Sequence, residues 1–345
     1  MRGEIVGRSM KPPKPKKTIP VLSVASFLRY VHQIEAVGAP IGRLLSCSQI
    51  PATLLDHPTA ALSREAAYRF GELACRTLGT EHLGLYVGLA SKLDDLGPYG
   101  QMLRSSLTIQ EYLRKGIAFY NMLNTGHRLW LSEHGEELLF HVTNLGPPGI
   151  GAYQTELETL VVTIAKLKNA AGLGWTPREI GFAYRAREDL PDIDLFAGSR
   201  VLRGIGETYF TIPRALMGQR FSNGNGGTLP RVPSTDALRP LPADLYNQVR
   251  LQIDTLVSDP ALSIDTVAET LGMSRRGLQR GLAQQGLTYS HLLSETRTRQ
   301  AATWLQSSDK PIAEIAYALG YTDASNFTRA FRNQTGVSPQ AFRLS

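Results

Sequence analysis

Near the C-terminus the chain reads Ile312-Ala313-Glu314-Ile315-Ala316-Tyr317-Ala318-Leu319-Gly320-Tyr321-Thr322, and then Phe327-Thr328-Arg329-Ala330-Phe331. Ile315, Ala316 and Leu319 lie one helical turn apart, which predicts a short helix with one apolar stripe. Ala316 sits mid-stripe, where a small side chain lets a second helix cross closely. Gly320 follows directly, and glycine tolerates the left-handed backbone that ends a helix and turns the chain. Asp323 is placed to cap a second helix by accepting one of its free N–H groups. Phe327 and Phe331 are four apart and face back onto the first helix. A helix, a glycine turn and a second, steeply inclined helix make a helix-turn-helix unit, whose second helix enters the major groove of DNA.

The same pattern stands about 48 residues earlier, as Ile264-Asp265-Thr266-Val267-Ala268-Glu269-Thr270-Leu271-Gly272-Met273-Ser274 and then Leu278-Gln279-Arg280-Gly281-Leu282. Ala268, Gly272 and Arg280 match Ala316, Gly320 and Arg329, and Ser274 takes the capping place of Asp323. The first unit spans about 264–284 and the second about 312–333. Between them Tyr289–Gln306 contains no Gly or Pro and carries Leu292, Leu293, Ala301, Trp304 and Leu305. A continuous helix over 289–306 would be about 25 Å long, and could hold two recognition helices about one DNA turn, ~34 Å, apart on one face of the duplex. The outward positions of the second helices are Arg275, Arg276, Gln279 and Arg280 in the first unit, and Ala324, Ser325, Thr328 and Arg329 in the second. Arginine can bind guanine, and glutamine adenine, through two hydrogen bonds each. The second set is smaller and less charged, so weaker sequence reading is expected from it.

The residues 312–316, Leu319-Gly320-Tyr321, Ser325-Asn326-Phe327, Arg329-Ala330-Phe331 and Gly336-Val337-Ser338-Pro339-Gln340-Ala341-Phe342-Arg343 resemble the signature of the AraC/XylS family of transcription regulators. The resemblance covers the whole C-terminal region. It implies double-stranded promoter DNA as a partner, with Arg276, Gln279, Arg280, Ser325, Thr328 and Arg329 at base-contacting positions. It also implies activation through contact with RNA polymerase. Three departures stand out: Pro311 where a capping Ser is usual, Gly277 and Gly281 inside a recognition helix, and Thr298 where the connector usually has leucine. Upstream, Leu96-Gly97 to Gly100, Trp175-Thr176-Pro177 and a strand pair near Phe196 and Val201 are similar to the arabinose-binding-like N-terminal domain of some members. That likeness implies effector sensing and self-association as a homodimer, not arabinose as ligand.

At 345 residues, with 42% apolar and 19% charged residues, the chain has the size and composition of an ordinary globular protein of two or three domains. No apolar run reaches 18 residues and no signal core opens the chain, so no membrane span and a cytoplasmic location are expected. The net charge is +7, with six Lys/Arg against one Glu in residues 1–20 and nine against six acidic residues in 262–345. The DNA module is therefore only mildly basic, so helix N-termini and neutral donors must share the phosphate contacts. Cys47 and Cys75 have no metal or redox spacing and are expected to be reduced, buried thiols.

The expected domains are a disordered basic tail (1–20), an N-terminal domain (21–221), a Gly/Pro-rich linker (222–241) and the DNA-binding domain (242–345). Residues 21–93 read as helical, Leu107–Met122 as an amphipathic helix and Tyr153–Ala171 as a long helix. Arg128–Ser132 and Glu137–Val142 read as a β-hairpin, and Glu179–Tyr184 and Glu207–Ile212 as further strands. Helices first and then a mixed sheet make an α+β sensor domain, followed by an all-α DNA-binding domain. An effector pocket would be lined by Trp130, Phe140, Tyr184 and Phe210, with Arg185 or Arg187 meeting an anionic ligand. The other reading of this domain is a dimerisation or protein-docking platform without a ligand.

An enzyme is not expected. The seven histidines form no HxxxH or HxH spacing, so neither a metal nor a cofactor is expected. There is no G-x-S-x-G elbow and no P-loop.

Overall fold

A computed structural model describes residues 19–146, 149–172, 174–221 and 239–344. The expected tail, apart from Ile19 and Pro20, lies outside them, as do residues 222–238 of the expected linker and Pro147-Pro148.

Strand β1 (Val21–Ser23) pairs antiparallel with β2 (Ala61–Ser63), where the sequence predicts only helices. Strands of three residues are too short for alternation to register against helical neighbours. Ser23 and Ser63 end these strands and at once cap helices α1 (Val24–Ala36) and α3 (Arg64–Leu78), accepting from Ser26 N and Ala66 N. With α2 (Ile41–Cys47) they enclose a first core around Phe27, Ile34, Leu62 and Phe70. Cys75 is buried beside it, and burial pushes its thiol up to about 12. Cys47 departs from the expectation of two buried thiols. It is exposed, because α2 packs through Leu44 and Leu45 and turns Cys47 outward.

A second, larger core lies between a sheet and the helices α4 (Leu83–Ala90), α5 (Gly97–Arg104), α6 (Ile109–Phe119) and α7 (Ile150–Ala171). The hairpin is β3 (His127–His134) and β4 (Glu137–Asn144), which turns at Gly135. β5 (Glu179–Phe182), β6 (Arg200–Arg203) and β7 (Thr208–Pro213) complete the order β3-β4-β7-β5-β6. Only the β5–β6 pairing is parallel, so the sheet is mixed, as expected. Val201 lies in β6, whereas Phe196 precedes it in a turn. Gly84 explains why α4 can lie against α7: an added Cβ there would come within 2.0 Å of the Gln154 carbonyl oxygen.

Helix α7 carries two carboxylates into this core, Glu156 and Glu158. The Glu156 carboxylate accepts a hydrogen bond from Thr208 Oγ1 at 2.6 Å, and Thr208 Oγ1 accepts one from Ala183 N at 3.0 Å. Burial raises the Glu156 carboxyl to about 7 despite that bond.

The C-terminal region is all-α: α8 (Leu245–Leu256), α9 (Ile264–Thr270), α10 (Arg275–Ala283), α11 (Tyr289–Ser307), α12 (Ile312–Ala318), α13 (Ala324–Thr335) and α14 (Pro339–Arg343). Gly272 and Gly320 both adopt left-handed backbone, with φ of 67° and 75°. The turn bonds repeat with them: Met273 N donates to Ala268 O and Tyr321 N to Ala316 O. Ser274 and Asp323 cap α10 and α13 by accepting from Gly277 N and Asn326 N. Pro311 gives α12 no side-chain cap. Thr298 is buried, with a hydroxyl that has no partner among the described residues. Among the described residues no helix is long and apolar enough to cross a membrane.

Two outcomes test these assignments. A group whose folded value is raised contributes stability below its unfolded value and loses it as pH climbs through the folded one. Wild-type stability relative to Glu156→Gln should therefore fall between about pH 4.5 and 7, by at most about 3 kcal/mol. A melting-temperature difference that stays constant over that range would remove the buried-carboxylate assignment. Gly320→Val should lower the melting temperature far more than Gly320→Asn, since asparagine tolerates left-handed backbone and a β-branched residue does not. Equal melting of the two variants would contradict the turn.

Candidate nucleic-acid interface

Leu278 and Leu282 on α10, and Phe327 and Phe331 on α13, are buried against Ala268 and Ala316 respectively. That fixes which faces look outward. On α10 the outward residues are Arg275, Arg276, Gln279 and Arg280, all exposed. Among the described residues Arg276, Gln279 and Arg280 make no side-chain hydrogen bond or ion pair. Arg275 pairs with Asp265 at 3.0 Å, with both side chains more than half exposed. Such a pair contributes little and exchanges readily. On α13 Ser325 and Arg329 are exposed and Thr328 is half-buried. Thr328 Oγ1 is tied back to Ala324 O at 2.8 Å, and Arg329 donates to Asn326 Oδ1 at 2.6 Å. The first helix thus presents unpartnered donors, whereas the second presents a shorter, partly occupied set.

Gly281, a departure at sequence level, has a packing reason. A Cβ there would meet the terminal methyl of Leu245 on α8 at 2.4 Å, so α8 packs over this position and a side chain here would have to turn Leu245 aside. Its helical penalty of up to about 1 kcal/mol accompanies that close approach.

The connector joins both units through their cores. Leu292 is buried with Val267, Leu271 and Leu278, while Ala301 and Leu305 are buried with Ile315, Leu319 and Phe331. Nineteen residues of α11 span about 28 Å. Asp254 at the end of α8 accepts from Thr296 Oγ1 at 3.1 Å and pairs with Arg299. Arg297 stacks over the Tyr321 ring at 5.0 Å and reaches Gly320 O at 3.4 Å, tying the connector to the second turn.

The four sequence-predicted effector residues are not brought together. Alternate residues of a strand take opposite faces. Trp130 stacks on its cross-strand partner His141 at 4.6 Å on one face, whereas Phe140 and Phe210 meet at 5.3 Å on the other. Tyr184 lies beyond β5 against Tyr153. Arg185 and Arg187 are exposed at a surface depression with Asp189 and Arg203. Of the four, only Phe140 lines the cavity between α1, α6 and α7, with Arg29, Tyr120 and Glu158. The signal that was missed lay in α7, where Glu158 stands among Leu157, Leu160 and Val161 and lines that cavity.

A second feature was not legible. Val21 and Ala61, from β1 and β2, are buried in the same core as Val249, Ile253, Val267 and Ala268. Gln248 Nε2 donates to Ile19 O at 2.7 Å, and Gln252 Nε2 donates to Ala61 O. His57 Nε2 lies 3.1 Å from Asp259 Oδ2. Leu241 N donates to Asn121 O at 3.0 Å. The N-terminal region therefore completes the core of the first helix-turn-helix unit.

Comparison with known proteins gives matches to both regions of the chain. A sequence profile described as the arabinose-binding domain of AraC transcription regulators, N-terminal, matches residues 38–221, and one described as a helix-turn-helix domain matches 267–345. The ornithine utilization regulator of Pseudomonas aeruginosa is 25% identical over 338 residues, 94% of this chain and 97% of its own. The transcriptional activator RhaS of Escherichia coli is 38% identical over 80 residues, 23% of this chain and 29% of its own. The crystal structure of the transcriptional regulator CdpR from Pseudomonas aeruginosa is 20% identical, covers 92% of this chain and 98% of its own, and superposes with a TM-score of 0.41. With the first profile spanning more than half of the chain and the second covering both units, the chain belongs to the AraC family of DNA-binding transcription regulators.

Proposed function

We propose that α10 and α13 read bases in consecutive major grooves of one promoter, using Arg276, Gln279 and Arg280 in the first and Ser325, Thr328 and Arg329 in the second. The observation that carries this is the row of exposed, unpartnered donors on α10, held on a helix whose opposite face is buried. Arginine and glutamine there match guanine and adenine edges. Arg275 serves the phosphates, since it has only a weak, exposed pair with Asp265 to exchange. The domain limits that go with this reading are 21–221 for sensing and 242–345 for DNA.

The regulator acts in the cytoplasm as an activator that contacts RNA polymerase, in keeping with the RhaS relative's description as an activator. The N-terminal domain binds a small effector and pairs two copies of the chain. An effector shifts a regulator only by binding its two states unequally, and the core shared by β1, β2 and α9 supplies a place where two states can differ.

Arg280→Ala in the full-length protein should cost about 1–3 kcal/mol on a selected operator and relax preference at one position. Arg329→Ala should relax a different position, in the neighbouring groove. Competition binding with operators altered base by base reads both effects. Equal weakening on all sequences, for either variant, would make that arginine a phosphate contact and reject its role as base reader.

A further inference from the structure

Most of the net charge of the chain lies in residues 1–18. They hold six Lys/Arg against one Glu, a net of +5 out of +7 for the whole chain. The DNA-binding region 242–345 holds ten Lys/Arg against nine acidic residues, a net of only +1. Several of those ten are committed within the protein: Arg299 to Asp254, Arg297 to the Tyr321 ring and Lys310 to the Trp304 ring. Proteins that read DNA draw much of their affinity from phosphates neutralised by Lys and Arg. The region that reads the bases is therefore short of the charge that holds the backbone.

Residues 1–18 lie outside the described residues, but the point where the chain leaves them is fixed. Ile19 packs against the core of the first helix-turn-helix unit, and its carbonyl accepts from Gln248 Nε2 at 2.7 Å. Gln248 is fully buried on α8, and Val21 is fully buried in that same core. Leu245, one turn before Gln248, lies over Gly281 of α10. The basic segment thus joins the molecule behind the helix with the richest set of unpartnered donors.

Covalent geometry bounds where its charges can go. A chain advances at most about 3.6 Å per residue, so Lys17 and Lys16 stay within about 7 and 11 Å of Ile19, and Lys14 and Lys11 within about 18 and 29 Å. A helix is about 10–12 Å thick, so Lys14 and Lys11 can pass α10 and meet the phosphates that border its groove. The groove of the second unit, about 34 Å further along the duplex, is beyond the backbone of all four.

We propose that residues 1–18 form a phosphate-binding arm. Lys11, Lys14, Lys16 and Lys17 neutralise backbone phosphates of the promoter beside the groove that α10 enters, and Ile19 holds the root of the arm on that unit. Such a basic arm supplies affinity without sequence information. This rests on the DNA-reading function proposed above.

The full-length protein is compared with a variant carrying Lys11→Gln, Lys14→Gln, Lys16→Gln and Lys17→Gln together. Binding to a selected operator and to a random duplex is measured between about 50 and 200 mM salt. Each lost phosphate contact lowers the slope of log affinity against log salt by about 0.9, so the slope should fall by about 2 to 3.6 on both duplexes. The ratio of the two affinities should hold within about threefold, because phosphates carry no sequence information. Replacing the same four residues by Arg should keep the wild-type slope. A fall smaller than about 2, a larger change in the ratio, or an equal loss in the Arg variant would overturn the phosphate contacts.

The position of the arm is read separately. An iron chelate is attached at Lys14→Cys in a Cys47→Ser background, since Cys47 is exposed and Cys75 is buried. Its radicals should cut the duplex most strongly within about half a DNA turn, ~17 Å, of the half-site protected by α10. No cleavage, even cleavage along the duplex, or cleavage centred on the half-site of α13 would overturn the anchoring at Ile19. Absence of operator preference in every variant is instead the failure of the base-reading proposal, and the slope on the random duplex then decides the arm alone.

Discussion

One helix has to be buried in two cores at once. Each helix-turn-helix unit is too small to bury its apolar stripe alone, since α9 and α12 are seven residues long. Each borrows part of α11: Leu292 for the first unit, Ala301 and Leu305 for the second. Because α11 runs unbroken from Tyr289 to Ser307, the two units cannot settle independently. The Asp254 clamp on Thr296 and Arg299, and the Arg297 contact with Tyr321, hold the middle turn of the connector against its neighbours. In the proposed reading, spacing along DNA is then set by one helix rather than by a tether.

The constraint is uneven at its two ends. The core of the first unit is closed partly by Val21 and Ala61 from the N-terminal region, and Gln252 donates to that region's backbone. The second unit is closed by its own residues and by Val257 at the end of α8. Among the described residues, a change in the N-terminal region thus has direct purchase on the core of the first unit, and α8 and α11 link that unit to the second. The richer set of unpartnered donors lies on that first unit, where α10 carries Arg276, Gln279 and Arg280.

The helix-turn-helix units were legible because their determinants are local. Gly272 and Gly320, the caps Ser274 and Asp323, and the four-residue spacing of Leu278 with Leu282 and of Phe327 with Phe331 all act within a few residues. The hairpin was legible for the same reason. What escaped depends on distant pairing. β1 and β2 join Val21 to Ser63 through three-residue strands that leave no alternation to read. The cavity is assembled from α1, α5, α6, α7 and β3, none of which specifies it alone. The aromatic effector candidates failed as a group because strand faces follow register. Trp130 stands opposite His141, so it points away from Phe140 and Phe210. Glu158 was visible in the sequence as a charge among Leu157, Leu160 and Val161, and it is the mark that could have led to the cavity.

The fixed spacing of the two reading helices is the claim on which the rest stands. It is tested most directly by a guanine-methylation and hydroxyl-radical footprint of the full-length protein on a duplex selected from a random pool. The expected result is two protected major-groove patches on one face of the duplex, their centres about 10–10.5 base pairs apart. A single protected patch, or two patches at variable spacing among selected duplexes, would contradict it.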